Sequence, residues 1–122
     1  MEADAWHDYD EVMARAKAAL TGLIRRRDAA GIAALRSVIS ELDNACAVPV
    51  DESPTADTVE VGLSEAPRRG LSAADVERIL DCEMAMRQEQ AQALSAAGRD
   101  LEASIAGYQA TLVRRLRDGD GA

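Results

Sequence analysis

The 122-residue sequence predicts an all-α fold: a four-helix domain made of two helical hairpins joined by a long acidic loop. Three observations carry this expectation. Apolar residues recur at intervals of three and four along four separate segments, the spacing of one helix face. Phe is absent and the aromatic residues are Trp6, Tyr9 and Tyr108, so the core must be built from Ala, Leu, Val, Ile and Met, among many Arg and Glu. Ala, Leu, Met, Arg and Glu lose little side-chain freedom in a helix. Three of the four segments also open on a residue suited to cap a helix N-terminus.

The first helix is predicted over residues 8–27. Asp8 is placed to cap it, and Glu11, three residues on, completes a capping-box pattern. Met13, Ala16, Leu20, Leu23 and Ile24 form its apolar stripe. Arg25, Arg26 and Arg27 suit the last turn, where cations complement the helix dipole. Asp28 then caps a second helix over about 29–46, with Ile32, Leu35, Ile39, Leu42 and Cys46 inward. So short a connection predicts an antiparallel pair.

Residues 47–70 contain Pro49, Pro54 and Pro67 and carry Asp51, Glu52, Asp57, Glu60 and Glu65. This is long for a connection in a compact domain. Within it, residues 58–63 alternate apolar and polar, which predicts a short extended piece laying Val59, Val61 and Leu63 on the helices. The third helix starts at Ser72, which is placed to cap the amide of Asp75 while Leu71 staples onto Val76. Val76, Ile79, Leu80, Met84, Met86 and Leu94 supply its contacts up to about Ala97, and Gly98 suits the residue after its end. The fourth helix is predicted over 100–118, with Leu101, Ile105, Tyr108, Leu112 and Leu116 on one stripe, followed by a frayed tail at 119–122. The whole of 1–122 reads as a single domain. Leu35, Ile39, Leu42, Leu80, Leu101, Ile105 and Leu112 are expected in its core.

Net charge is −8, which favours solubility and opposes long-range attraction of nucleic-acid backbones. No apolar run is long enough for a membrane span, and the acidic N-terminus lacks the apolar stretch of a secretory signal. A cytoplasmic protein is expected. Cys46 and Cys82 then stay reduced and are expected to be small buried hydrophobes.

Chemistry-bearing patterns are sparse. There is no Gly-rich phosphate loop, no GxSxG and no zinc-type spacing, and His7 is the only histidine. Asp75 with Glu77, and Asp81 with Glu83, are two residues apart and diverge on a helix. Glu77 and Asp81 share a face, where solvated carboxylates are the expected reading. No catalytic residue, metal site or cofactor is therefore assigned. Two candidate surfaces remain. Arg36, Ser40, Asp43 and Asn44 share a polar stripe beside the apolar stripe of the second helix, which reads either as a packing edge or as a binding surface. Arg25, Arg26, Arg27, Arg114, Arg115 and Arg117 cluster at helix ends, where they serve the dipole or, if the first and fourth helices end on one side, converge into an RNA footprint.

With these segments placed, the chain resembles the GatB/YqeY-like family, small helical proteins related to the tail of the B subunit of the tRNA-dependent Asp/Glu amidotransferase. The resemblance lies in "RRRDAAGIAALRSVISELDNACAV", "RRGLSAADVERIL" and "AAGRDLEASIAGYQATLVRRL". Leu35 and Arg36, Asn44 and Ala45, Leu71, Ser72, Asp75 and Val76, and Gly98 and Arg99 match the family's recurrent positions. Longer relatives continue into a second helical subdomain, implicated in the amidotransferase tail in contacting tRNA. Here the sequence passes from Arg115, Leu116 and Arg117 to Asp118 and a short tail. The resemblance thus implies an accessory factor linked to translation or aminoacyl-tRNA metabolism, with tRNA contact disfavoured. The expected function is a non-catalytic interaction module with a protein partner. The alternatives are a weak tRNA- or RNA-binding domain and an accessory to a glutamine-dependent amidotransferase, a carbon–nitrogen ligase.

Overall fold

A computed structural model of the chain describes residues 8–46 and 71–119, and among these every regular element is helical. The four helices are α1 (Tyr9–Arg25), α2 (Ala29–Cys46), α3 (Ala73–Ala96) and α4 (Asp100–Asp118). The all-α class therefore holds. The extended piece at 58–63, the loop at 47–70, His7 and the tail beyond Gly119 lie outside the described residues.

Each start follows from its capping residue. The Asp8 carboxylate accepts from the Glu11 amide at 3.2 Å. Ser72 and Asp75 complete a reciprocal box, the Ser72 hydroxyl accepting from the Asp75 amide at 3.0 Å and the Asp75 carboxylate from the Ser72 amide at 3.3 Å. Asp28 caps α2 by accepting from the Gly31 amide at 3.0 Å. Gly31 is buried, and a Cβ there would sit 2.7 Å from Leu23 Cδ2, so the missing side chain lets α2 begin tight against α1.

The two hairpins turn in the same way. After α3, the Arg99 amide donates to the Leu94 carbonyl (2.9 Å) and the Gly98 amide to the Ser95 carbonyl (3.0 Å), with Gly98 at φ 80°. After α1, the Asp28 amide donates to the Leu23 carbonyl (3.0 Å) and the Arg27 amide to the Ile24 carbonyl (3.0 Å). Both are Schellman closures, which need a left-handed residue just past the helix. In the first hairpin that residue is Arg27, at φ 58°, and it ends α1 two residues before the predicted boundary at 27. A left-handed arginine is strained where glycine is not. Arg27→Gly is therefore expected to raise stability by about 0.5–1 kcal/mol, after subtracting glycine's larger unfolded-state entropy. A urea melt with an unchanged or lower midpoint would contradict this.

The core gathers Val12, Ala16 and Leu23 of α1, Leu35, Val38 and Leu42 of α2, Val76 and Leu80 of α3, and Val113 and Leu116 of α4. α2 and α4 each pack against the other three helices, and α3 with α4 is the most extensive pair. Leu35, Leu42 and Leu80 are buried as expected, while Ile39 and Leu112 are half-buried. Leu101 and Ile105 are not buried: they are 76% and 42% exposed. The reason is geometric. No residue from Gln88 to Ile105 is buried, because the end of α3 and the start of α4 extend beyond α1 and α2. Deeper in the pair, the buried residues of α4 are the small ones, Ala106 and Ala110, before Val113 and Leu116 take over. Cys82 also departs from expectation. Cys46 is buried at the end of α2, whereas Cys82 is exposed on α3.

A candidate site in the groove between α1 and α4

α1 and α4 run in opposite senses. Arg15, midway along α1, donates to the Leu116 carbonyl in the last turn of α4 at 3.0 Å. At the other end, Asp28, just beyond α1, accepts from the Tyr108 hydroxyl halfway along α4. Between these two ties lies a groove of about 360 Å³. Leu23, Leu35, Leu112 and Leu116 line it, and Ala18, Ala19 and Gly22 leave its α1 wall low. Arg15, Arg26 and Arg115 complete the lining.

This arrangement sorts the six helix-end arginines. The C-termini of α1 and α4 do not end on one side, so the convergence that co-directed ends would give does not form. Arg26 and Arg115 nevertheless line the same groove. Arg114, one position earlier, lies in a depression on the α3 side with Gln88, Ala91 and Gln92. Arg117 is engaged with Asp81 of α3 at 2.9 Å and with Asp118 at 3.0 Å. Arg25 and Arg27 are exposed. Charge is segregated as well. Residues 12–27 hold Arg15, Lys17, Arg25, Arg26 and Arg27, and residues 103–117 hold Arg114, Arg115 and Arg117, with no Asp or Glu in either stretch. Of these, Arg15, Arg26 and Arg115 line the groove, with the Asp28 carboxylate near Arg26 at one end, on a chain of net charge −8.

Asp28 anchors one end of the groove through three helices. Its amide closes α1, one carboxylate oxygen caps α2, and the other accepts from Tyr108 of α4. Gln109 adds a second tie, donating to the Ala30 carbonyl at 2.8 Å. The Tyr108 hydroxyl, then the Gly31 amide, hold the Asp28 carboxyl below its ordinary range, and the same bond raises the Tyr108 phenol. With its folded pKa below the unfolded value of about 3.9, Asp28 contributes its full stabilisation above that value. The contribution is lost as pH falls through the lower folded pKa. Asp28→Asn is therefore expected to narrow its stability gap to the parent as pH drops below about 4. A gap in melting temperature that stays constant from neutral pH to pH 2 would remove Asp28 from the acid response.

The polar stripe of α2 is elsewhere. Arg36, Ser40, Asp43 and Asn44 are all exposed, and Asp43 accepts from the Tyr9 hydroxyl at 3.1 Å. Burial, then the neighbouring Cys46 and Asp43, push the Tyr9 phenol well above its usual range. The stripe thus ties α1 to the end of α2 at Asp43, with Arg36, Ser40 and Asn44 at the surface.

One polar cluster escaped the reading of the sequence. Glu83 and Arg87 of α3 are each only 7% exposed and pair at 2.6 Å. Ser37 of α2 donates to the same Glu83 oxygen at 3.2 Å. The signal was present: Val76, Leu80, Glu83 and Arg87 continue one helical stripe, whose last two members are charged. Among the described residues no cluster of His, Cys, Asp and Glu is suited to a metal ion, and no helix is long and apolar enough to cross a membrane. No family model, curated protein or solved structure matches the chain.

Proposed function

We propose that the chain is a non-catalytic interaction module that docks a protein partner. The observation that carries this reading is the α1–α4 groove, an apolar floor with arginines in its lining on an otherwise acidic chain. Such a surface combines area for burial with charges that select a partner. The resemblance to the GatB/YqeY-like family directs the search for that partner to translation and aminoacyl-tRNA metabolism. The test is affinity co-purification from the native host, with proteins and RNA both identified. A protein retained in stoichiometric amount supports the module, and RNA retained without protein overturns it. The purified chain is also expected neither to hydrolyse glutamine nor to consume ATP. Glutaminase turnover lost on Cys46→Ala or Cys82→Ala would refute the non-catalytic reading.

The RNA-binding alternative draws on the same basic stretches. Its signature is a tRNA shift that weakens steeply with rising salt, because phosphate contacts release counterions. The groove lining contains no aromatic side chain on which a base would stack. tRNA affinity no better than non-specific is expected at about 0.15 M salt.

A further inference from the structure

We propose that the α1–α4 groove receives an acidic amphipathic helix of the partner protein, its apolar side chains over Leu112, Ala18 and Ala19 and its carboxylates facing Arg26 and Arg115. This deepens the interaction-module reading and rests on it. Three features of the groove select that occupant. The first is charge. The stretches that form the two walls carry basic side chains and no acidic ones, although acidic residues outnumber basic ones 22 to 14 in the chain. A carboxylate-bearing ligand is therefore drawn to this face and repelled by much of the rest.

The second is the floor. Leu23, Leu35 and Leu116 lie beneath it, almost fully buried, and the open apolar surface is that of Leu112, Ala18 and Ala19, which offers nothing to a phosphate. An amphipathic helix recovers the apolar area that Leu112, Ala18 and Ala19 leave open. An extended polyanion also meets the full repulsion of the net charge, which a short acidic segment meets far less.

The third is shape. The groove follows α1 from Arg15 to Arg26, about three turns or roughly 16 Å. Its volume of about 360 Å³ takes the side chains of one element, not of a folded domain. The low wall of Ala18, Ala19 and Gly22 lets the backbone of that element come close. A helix anchored through residues three and four apart matches such a slot. Arg15 already donates to the Leu116 carbonyl, so it braces the groove while the exposed Arg26 and Arg115 meet the ligand.

The test uses the full chain and a fluorescent designed helical peptide with a leucine stripe flanked by glutamates. A second peptide has glutamine for every glutamate, and tRNA serves as the third probe. In fluorescence anisotropy at about 0.15 M salt, the glutamate peptide is expected to bind and to shift the methyl resonances of Leu23, Leu112 and Leu116. The combined change Arg26→Glu and Arg115→Glu is expected to weaken it about tenfold or more, as loss of charge-assisted hydrogen bonds does. Arg114→Glu makes the same kind of charge change on the α3 side of α4 and is expected to leave binding intact. A peptide with lysine for every glutamate restores binding to the doubly reversed protein. Equal binding of the glutamate and glutamine peptides, equal loss with Arg114→Glu, no peptide binding, or tRNA binding lost on the double change would each overturn the inference. If the native partner is still retained by the doubly reversed chain, the module reading stands and the groove inference alone falls.

Discussion

Leu42→Ala is expected to destabilise the protein by about 2–5 kcal/mol, the range for deleting a fully buried leucine. Leu42 is completely buried on α2, the helix that packs against all three others, so a cavity there is walled from several sides. Partial collapse is hard in such a place, and the cost lies towards the upper part of the range. In a thermal melt the midpoint should fall by roughly 10 °C or more. The same substitution at Leu101, 76% exposed on α4, should change stability by no more than about 0.5 kcal/mol. Similar losses at the two positions would mean that α4 is rotated relative to the arrangement described above.

Removing one partner of the buried pair should cost nearly as much. In Arg87→Met, Glu83 keeps only the Ser37 hydroxyl, and an uncompensated buried carboxylate is expected to cost about 3–5 kcal/mol. Adding Glu83→Leu removes the orphaned charge, and the double variant should recover most of the loss, since apolar replacement of a buried ion pair is often close to neutral. A double-mutant cycle in urea measures this directly. Additive losses from the two changes would show that the pair is solvated in solution.

The sequence made the helix boundaries legible because they are set locally. Asp8, Asp28 and Ser72 each bond an amide three residues on, and Gly98 supplies the left-handed residue of its turn. Nothing comparable marks which face of α4 turns inward. Leu101, Ile105, Tyr108, Leu112 and Leu116 make the largest apolar stripe, and periodicity alone places that stripe in the core. The structure buries Leu116 of that stripe and half-buries Leu112, but along the early part of α4 it buries Ala106 and Ala110 in place of Leu101 and Ile105, because α3 is the neighbour there among the described residues and small residues let the two helices approach. The groove was hidden for a related reason. Its walls come from segments far apart in the chain, as the contact between Arg15 and Leu116, 101 positions apart, shows. Their shared lack of acidic residues was readable, but that they face each other was not. Glu83 and Arg87 were missed because charged residues are ordinarily assigned to the solvent face of a helix.

The overhang of the α3–α4 hairpin divides the molecule by the free energy needed to open it. From Gln88 to Ile105 the backbone is held by its own helical hydrogen bonds and by one neighbouring helix, with no buried side chain. That span can melt while Leu35, Leu42 and Leu80 stay packed, so its amides exchange with solvent through a sub-global excursion. Amides in the middle of α2 exchange only when the whole domain unfolds. Among the described residues, a protease presented with the native protein would therefore meet its first cleavable conformation at the tip around Gly98, far from the groove, and nicking there would leave Arg15, Arg26 and Arg115 in place.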